Sequence, residues 1–277
     1  MIYANSLMEQ QLKWLIISIM LCSLSACSQN KGPGYGWDLF KNTPNWELAQ
    51  ALKQEDSSKI KELLKNSSIN INFQESVFGQ TLLHLAIGND ELISTRILLE
   101  NGAKVNIRDS DDASAIHEAS EYPRLRKNAV PILSLVIRFG AKVNDTLIDV
   151  KRGHDTVAFE VPLMEAANNL PCAKLLLENG ASPYFKAYGG YGPWTLMLSD
   201  NIFDGIYVAK YIIIDKGMLI PNPITSTINP EKPGDIFYFL HGKDYGGDKE
   251  KQRARQDIID YLKRIDFPKN GVYQELN

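Results

Sequence analysis

The sequence is poor in the residues that build disulfide scaffolds and metal sites. Its 277 residues include three cysteines and four histidines, with no C-x-x-C pair and no H-E-x-x-H segment. Secreted domains built on disulfides are far richer in cysteine, and structural zinc sites need closely spaced Cys or His ligands. We therefore exclude both classes and expect neither a metal nor a cofactor.

An excess of positive charge is also missing. The chain has 30 Lys and Arg against 33 Asp and Glu, a formal net charge of −3. Proteins that bind nucleic acid usually carry a basic surplus, so we expect no nucleic-acid partner. The apolar content of 44% is enough to build a core, which excludes a chain that is disordered throughout.

Two common catalytic motifs do not occur in the sequence. G-x-S-x-G places the serine nucleophile of α/β-hydrolases, and G-x-x-x-x-G-K-S/T forms a phosphate-binding loop. Both are absent, and no nucleophile can be paired with a base from the sequence. We therefore expect that the chain is not an enzyme.

The apolar run near the N-terminus is too short to cross a membrane. It covers 13 residues from Trp14 to Ala26 and follows Lys13, whereas a membrane-spanning helix needs about 20. A charged residue followed by a run of this length is typical of a secretory signal peptide. The run ends in LSAC (24–27), and small residues directly before a cysteine at this point resemble the bacterial lipobox.

This resemblance implies that residues 1–26 are a lipoprotein signal peptide and that Cys27 is acylated and begins the mature chain. It also implies that Ser28 favours the outer membrane, so we expect a lipid-anchored protein in the periplasm. Two alternatives stay open. The first is an ordinary signal peptide with an accidental cysteine. The second is initiation at Met20, inside the run, which would leave too short a signal and give a cytosolic form.

The segment that begins at this cysteine has the composition of a linker. Residues 27–44 (CSQNKGPGYGWDLFKNTP) are rich in Gly, Pro and polar residues, a composition typical of flexible linkers. We therefore predict a flexible tether at 27–44 between the lipid and the folded part of the chain.

A 33-residue period organises the rest of the chain. GQTLLHLA (79–86) recurs as ASAIHEA (113–119), so that His84 and His117 are 33 residues apart. ILLENGAKVN (97–106) recurs as RFGAKVN (138–144) and LENGASP (177–183). These segments resemble the two halves of the ankyrin repeat, whose signature is T-P-L-H-x-A and whose period is 33 residues.

The resemblance implies an all-α solenoid of about five helix pairs with hairpin fingers over residues 45–217. The predicted units are residues 45–72, 76–108 and 109–144, helices near 161–169 and 171–179, and residues 192–217. Residues 218–277 are predicted to hold an insertion and a C-terminal capping helix at 250–265, where apolar residues recur every three or four positions. Stacking is required because one helix pair cannot bury its apolar face alone.

Several residues of the best-formed repeat have predictable structural roles. Thr81 is expected to cap the first helix, because its hydroxyl can accept a backbone N–H. Leu98 is expected to fill the space between the two helices, and Gly102 to end the second helix in a left-handed turn. His84 and His117 occupy the hydrogen-bonding position of the repeat, so we interpret both as structural.

Three surface features are candidate partner-binding sites. The segment YFKAYGGYGPW (184–194) places five aromatic residues on a finger, and loop aromatics that do not pack inward are good interface anchors. An acidic hairpin tip is expected either to begin its hairpin in the usual way or to face a basic partner. The candidates are Tyr184, Phe185, Tyr188 and Tyr191 on the aromatic segment, Asp109, Asp111 and Asp112 at the acidic tip, and His154 on a long finger at 145–160.

The resemblance also implies a function. Ankyrin stacks bind proteins through hairpin tips and inner helices, so we expect a protein partner and a chain that is monomeric when free. The pattern of lipobox and repeats is similar to that of lipoproteins that serve as immunity proteins for type VI secretion lipase effectors. It implies a periplasmic, membrane-tethered protein that binds and neutralises a phospholipase toxin. The alternative is a general periplasmic ankyrin scaffold that supports an envelope or stress enzyme.

Overall fold

The computed structural model describes residues 33–148, 158–185, 192–199, 204–218, 236, 240 and 245–267. Within these ranges the chain is mainly helical, and its helices follow one another as antiparallel pairs. The helices are α1 Trp46–Lys53, α2 Ser57–Leu63, α3 Leu82–Gly88, α4 Leu92–Glu100, α5 Ala115–Ser120, α6 Ala129–Arg138, α7 Pro162–Glu165, α8 Leu170–Glu178, α9 Pro193–Ser199, α10 Gly205–Lys210 and α11 Lys249–Arg264. A 3-10 turn, Ala166–Asn168, extends α7, and a π turn, Tyr211–Asp215, extends α10.

The pairs stack into two rows of helices. The first helices of the pairs contact one another and form the inner row, α1, α3, α5, α7 and α9. The second helices form the outer row, α2, α4, α6, α8 and α10. A continuous apolar core runs between the rows from Leu48 to Ile212, and Leu98 lies in it with no exposed surface. The solenoid of five helix pairs predicted from the 33-residue period is confirmed.

The repeat motif forms a reciprocal cap at the start of each inner helix where it is intact. The Thr81 hydroxyl accepts the backbone N–H of His84 at 3.4 Å, and the Thr81 N–H donates to Nδ1 of His84 at 3.1 Å. Ser114 and His117 repeat the arrangement on α5, where the Ser114 N–H donates to Nδ1 of His117 at 3.3 Å. Such caps satisfy backbone donors that have no partner inside a helix. The predicted cap at Thr81 and the structural role of both histidines are confirmed.

Glycine and asparagine link successive hairpins. The glycines after three outer helices have positive φ angles of 91°, 89° and 90°, at Gly102, Gly140 and Gly180. Residues with a side chain rarely adopt this left-handed conformation, which explains the glycine in the motif. The asparagine side chain of the preceding hairpin donates to the carbonyl of each glycine, at 3.4 Å from Asn72, 3.2 Å from Asn106 and 2.9 Å from Asn144.

The C-terminal helix covers the end of the stack. Helix α11 packs against α10, and Ala254, Ile258 and Leu262 are buried on one face of it. Its first turn is capped by Asp248, whose carboxylate accepts the N–H groups of Glu250 and Lys251. The predicted capping helix is therefore confirmed at 249–264, one residue from its expected position.

The described part of the predicted tether is folded onto the stack. Residues 33–35 and 37–40 form two 3-10 turns. Trp37 is 6% exposed and Phe40 is fully buried, with its ring edge-on to Phe73 at a centroid separation of 6.1 Å. We predicted flexibility at 33–44, but these residues are folded because the side chains of Trp37 and Phe40 are buried in the core. Residues 27–32 lie outside the described part of the chain.

The long finger at 145–160 is built on a pair of short strands. Strand β1, Leu147–Ile148, pairs antiparallel with β2, Ala158–Glu160, and Leu147 lies opposite Glu160. The pairing returns the chain to the inner row just before α7. Residues 149–157, including His154, lie outside the described part.

No helix among the described residues is long and apolar enough to cross a membrane. The apolar run at 14–26 is not among them.

Candidate functional site

Four glutamates meet on the inner row of helices. Glu118 on α5 and Glu165 on α7 occupy the same repeat position, directly before the small alanine of the motif, and the two helices pack side by side. Glu121 follows the end of α5, and Glu160 ends strand β2. We refer to Glu118, Glu121, Glu160 and Glu165 as the glutamate cluster.

Glu118 is the buried member of the cluster, whereas Glu121, Glu160 and Glu165 are partly exposed. Glu118 is 7% exposed, and its Oε1 lies 3.1 Å from Nη2 of the buried Arg126. Arg126 also donates to the Glu118 carbonyl oxygen. The carboxyl groups of Glu160 and Glu165 lie close enough to perturb each other's pKa, and a hydrogen bond between them requires a proton on one of the two.

A tyrosine from the N-terminal segment completes the cluster. The Tyr35 hydroxyl donates to Oε2 of Glu121 at 3.1 Å, and the backbone carbonyl of Tyr35 accepts the side-chain amide of Asn89 at 3.1 Å. The segment that begins the described chain therefore reaches the same surface as α5.

Ionisation of the four glutamates is unfavourable in the folded chain. Burial raises the pKa of Glu118 to about 7, against the opposing effect of Arg126. Burial also raises the pKa of Glu121, Glu160 and Glu165, and for Glu165 the neighbouring Glu160 adds to the effect. Carboxylates that are poorly solvated and face one another favour the neutral form. A cation brought to this surface by another molecule would relieve that repulsion.

The cluster does not have the composition of a metal site. Among the described residues, no group of three or more His, Cys, Asp or Glu is placed to hold a metal ion.

A second polar network lies at the other end of α5. Asp145 receives Nη2 of Arg108 at 2.6 Å on one oxygen and the Ser114 hydroxyl at 2.8 Å on the other. Nη1 of Arg108 also pairs with Asp112 at 2.9 Å. We refer to Arg108, Asp112, Ser114, His117 and Asp145 as the hairpin network.

The hairpin network contains serine, histidine and aspartate but not in a catalytic arrangement. The Ser114 hydroxyl is fully buried, lies 3.2 Å from Nδ1 of His117 and donates to Asp145. In a hydrolase triad the aspartate orients the histidine and the serine is open to substrate. Here the serine is held by the aspartate, so the three residues fasten the hairpin to α5.

The acidic tip predicted as a partner site is largely used within the hairpin. One carboxylate oxygen of Asp109 accepts the N–H groups of Asp111 and Ala113, each at 2.9 Å. The carboxylate of Asp112 accepts Nη1 of Arg108 and, at 3.0 Å, the N–H of Ile148. Asp109 and Asp112 therefore have structural roles, while Asp111 is exposed.

The aromatic segment divides between core and surface. Tyr184 is 36% exposed, whereas Phe185 packs against Val161 and Met164. Trp194 is 3% exposed and belongs to the core. Phe185 thus differs from the predicted interface role because its ring covers the fourth repeat. Tyr188 and Tyr191, like His154, lie outside the described residues.

The glutamate cluster was not predicted from the sequence. Glu118 and Glu165 carry a readable signal, since each stands where the second repeat has Leu85, at a position that the motif leaves variable. No comparable signal marks Glu160, which reaches the site through the return of a finger, or Tyr35, which reaches it from outside the repeats.

The helix pairs and their two rows define a class of fold, a stack of helical repeats. Residues 48–146 match the family model of ankyrin repeats in three copies. The matched residues span the first three helix pairs, so this part of the chain is similar to ankyrin repeats in sequence and in helix arrangement.

Two curated relatives support the same conclusion. An ankyrin repeat protein of Fowlpox virus (strain NVSL) is 36% identical over 89 residues, which are 32% of this chain and 25% of that protein. Ankyrin repeat and SOCS box protein 6 of Homo sapiens is 28% identical over 127 residues, 45% of this chain and 28% of the relative. The chain thus spans about a quarter of the length of the curated relatives it matches.

Proposed function

We propose that the chain binds a protein partner through the glutamate cluster and that the partner inserts a basic side chain there. The observation that carries this proposal is the excess of carboxyl groups among the described residues of this surface, where one buried and three partly buried glutamates lie near the buried Arg126. Such an arrangement opposes folding, so its presence on the inner row is explained by binding. A guanidinium or ammonium group brought by the partner would gain strong charge-assisted hydrogen bonds.

The partner in this proposal is a lipase effector of type VI secretion, and the chain is the immunity protein that neutralises it. The lipobox-like LSAC (24–27) and the ankyrin repeats together support this choice, because the combination is similar to that of known immunity lipoproteins. Acylation of Cys27 would hold the chain at the periplasmic face of the outer membrane. Tethering at the surface on which a phospholipase acts raises the local concentration of the inhibitor.

The proposal predicts that a lipase gene lies beside this gene, and the direct test uses the product of that gene. The purified lipid-free part of the chain, residues 28–277, is added to the lipase, and hydrolysis of phospholipid vesicles is followed. We expect inhibition that saturates at one chain per lipase. Full lipase activity in the presence of excess chain would contradict the proposed immunity role.

A cellular test addresses the anchor. Cys27→Ser is expected to abolish acylation, measured by metabolic labelling with palmitate, and to weaken protection of cells that receive the toxin. Equal labelling of the variant and the parent chain would show that Cys27 is not the lipidated residue.

A further inference from the structure

Residues 33–40, which we call the strap, lie across the inner row. The ring of Tyr35 rests on Gly88, where a β-carbon would stand only 2.4 Å from Cε1 of the ring. Gly88 is the last residue of α3, so the absence of a side chain there makes room for the strap. The same β-carbon would meet Oε1 of Glu118 at 2.6 Å, which places the strap beside the glutamate cluster.

The strap is fixed at both ends. At its start, Tyr35 is held by its hydroxyl bond to Glu121 and by the bond from Asn89 to its carbonyl, each 3.1 Å long. Further along, Trp37 and Phe40 are buried in the core. These contacts give the strap the properties of a folded element, and they place its first described residue, Pro33, close to the surface that we propose as the binding site.

The distance from Cys27 to the stack is therefore short. Six residue steps separate Cys27 from Pro33, and a fully extended chain covers about 20 Å in six steps. A flexible tether running to the start of α1 would have 18 or more steps and would reach about 60 Å. The strap thus shortens the maximum reach by about threefold, whatever the conformation of the residues between Cys27 and Pro33.

We propose that the strap shortens the tether between the lipidated Cys27 and the folded chain. In this way it holds the glutamate cluster close to the lipid bilayer. The inference rests on the proposed acylation of Cys27. A short tether restricts the expected partners to proteins that lie on the membrane surface. Binding to a partner free in the periplasm would not be favoured by a short tether. A lipase bound to its phospholipid substrate is such a partner.

Energy transfer between the chain and a bilayer measures this distance without any partner. The acylated chain is inserted into phospholipid vesicles whose lipids carry an acceptor dye. The donor is attached to a cysteine introduced as Leu125→Cys, a position 61% exposed on the loop before α6. The native Cys172 is fully buried and burial raises the pKa of its thiol to about 11, so it does not compete for the label.

Two variants lengthen the tether, one by inserting residues and the other by removing anchoring side chains. A flexible Gly/Ser insertion of about 20 residues after Gly32 leaves every strap contact in place and adds about 25 Å of average reach. Replacing Tyr35 and Trp37 with glycine moves the first anchored residue to Phe40. The maximum length of the tether from Cys27 then increases to about 45 Å. Circular dichroism checks that the helical stack of the second variant is intact, and the first variant needs no change in the core.

The parent chain is expected to show strong transfer, and both variants to show transfer lower by about twofold or more. Equal transfer in the parent chain and the insertion variant would overturn the proposal, as would a mature chain that carries no acyl group and does not bind vesicles. Because no partner is present, these outcomes are independent of whether the chain inhibits a lipase.

Discussion

Helix α5 has a polar network at each end, and the two networks treat their carboxyl groups differently. In the hairpin network at its start, Asp145 receives a guanidinium on one oxygen and a hydroxyl on the other. In the glutamate cluster at its end, Glu160 and Glu165 face each other, and burial raises the pKa of all four carboxyl groups. The first network is complete within the chain, whereas in the described part of the chain the second has Arg126 paired with only one of its four carboxyl groups.

This difference separates residues that stabilise the fold from residues that oppose it. A carboxylate whose oxygens are hydrogen-bonded contributes to stability when it is buried, and removing it leaves its donors without partners. Carboxyl groups whose pKa is raised by burial instead weaken the fold as they ionise. Substitutions in the two networks should therefore have opposite effects on the free energy of unfolding.

The largest effect is expected at Asp145. Asp145→Ala should lower the free energy of unfolding by about 2–4 kcal/mol, because Arg108 and the buried Ser114 both lose their acceptor. Asp215→Ala is the matched control, since Asp215 is exposed on the fifth helix pair. Urea denaturation compares the two variants. If they unfolded at the same urea concentration, the hairpin network would have no structural role.

The buried histidines provide a contrast in pH dependence. Burial lowers the pKa of His84 to about 4, whereas an unfolded histidine titrates near about 6.5. Below pH 6.5 the unfolded chain therefore binds a proton at His84 that the folded chain does not bind. The stability that neutral His84 contributes is lost as the pH falls from 6.5 towards 4. The expected loss by pH 4 is about 3 kcal/mol.

Urea denaturation of the parent chain and of His84→Gln at several pH values isolates this contribution. The difference in unfolding free energy between the two should shrink as the pH is lowered through this window. A difference that stayed constant from pH 7 to 4.5 would show that His84 titrates normally in the folded chain.

The glutamate cluster should respond in the opposite direction. Glu165→Gln replaces a carboxyl group with an amide that can donate to Glu160 without needing a proton, and we expect a stabilisation of about 1 kcal/mol at pH 8. Because burial and the neighbouring Glu160 raise the pKa of Glu165 well above 4.5, the destabilisation caused by its ionisation is absent at pH 4.5 and grows as the pH rises through the raised pKa. The gain from Glu165→Gln should therefore vanish near pH 4.5.

Thermal unfolding at pH 4.5 and pH 8 tests this pattern, with Glu100→Gln on the exposed surface of α4 as the control. A fall in Tm at pH 8 for Glu165→Gln would mean that the carboxylate supports the fold, and the contrast between the two networks would not hold.

The smallest effect is expected on the aromatic finger. Tyr184 is only 36% exposed and lies at the start of the segment, so Tyr184→Ala should weaken partner binding by less than about 1 kcal/mol, as peripheral contacts do. Isothermal titration with the partner checks this value. A loss of more than about 2 kcal/mol would move the centre of the interface from the inner helices to the finger.

The repeat architecture could be predicted because its signals are local. The 33-residue spacing of His84 and His117, the cap at Thr81 and the glycine at Gly102 each specify a helix start, a helix end or a turn within a few residues. The capping helix was predictable for the same reason, since Ala254, Ile258 and Leu262 recur at helical spacing.

The glutamate cluster and the strap could not be predicted because they depend on long-range contacts. Glu118 and Glu160 are separated along the chain by helix α6 and the long finger, and no short motif predicts where that finger returns to the stack. The strap has a linker composition, and only its packing against Phe73 and Gly88 shows that Phe40 and Tyr35 are fixed. The aromatic segment misled the prediction at Phe185, because an aromatic residue in a loop can pack inward as well as outward.

The most direct test of the account is the affinity of the partner for two variants of equal charge. Glu118→Gln with Glu165→Gln removes two carboxylates from the cluster, and Glu62→Gln with Glu100→Gln removes two exposed ones from the outer row. Isothermal titration at physiological salt is expected to show a loss of about tenfold or more for the first pair and almost none for the second. Equal affinities for both pairs would contradict the claim that the glutamate cluster is the binding site.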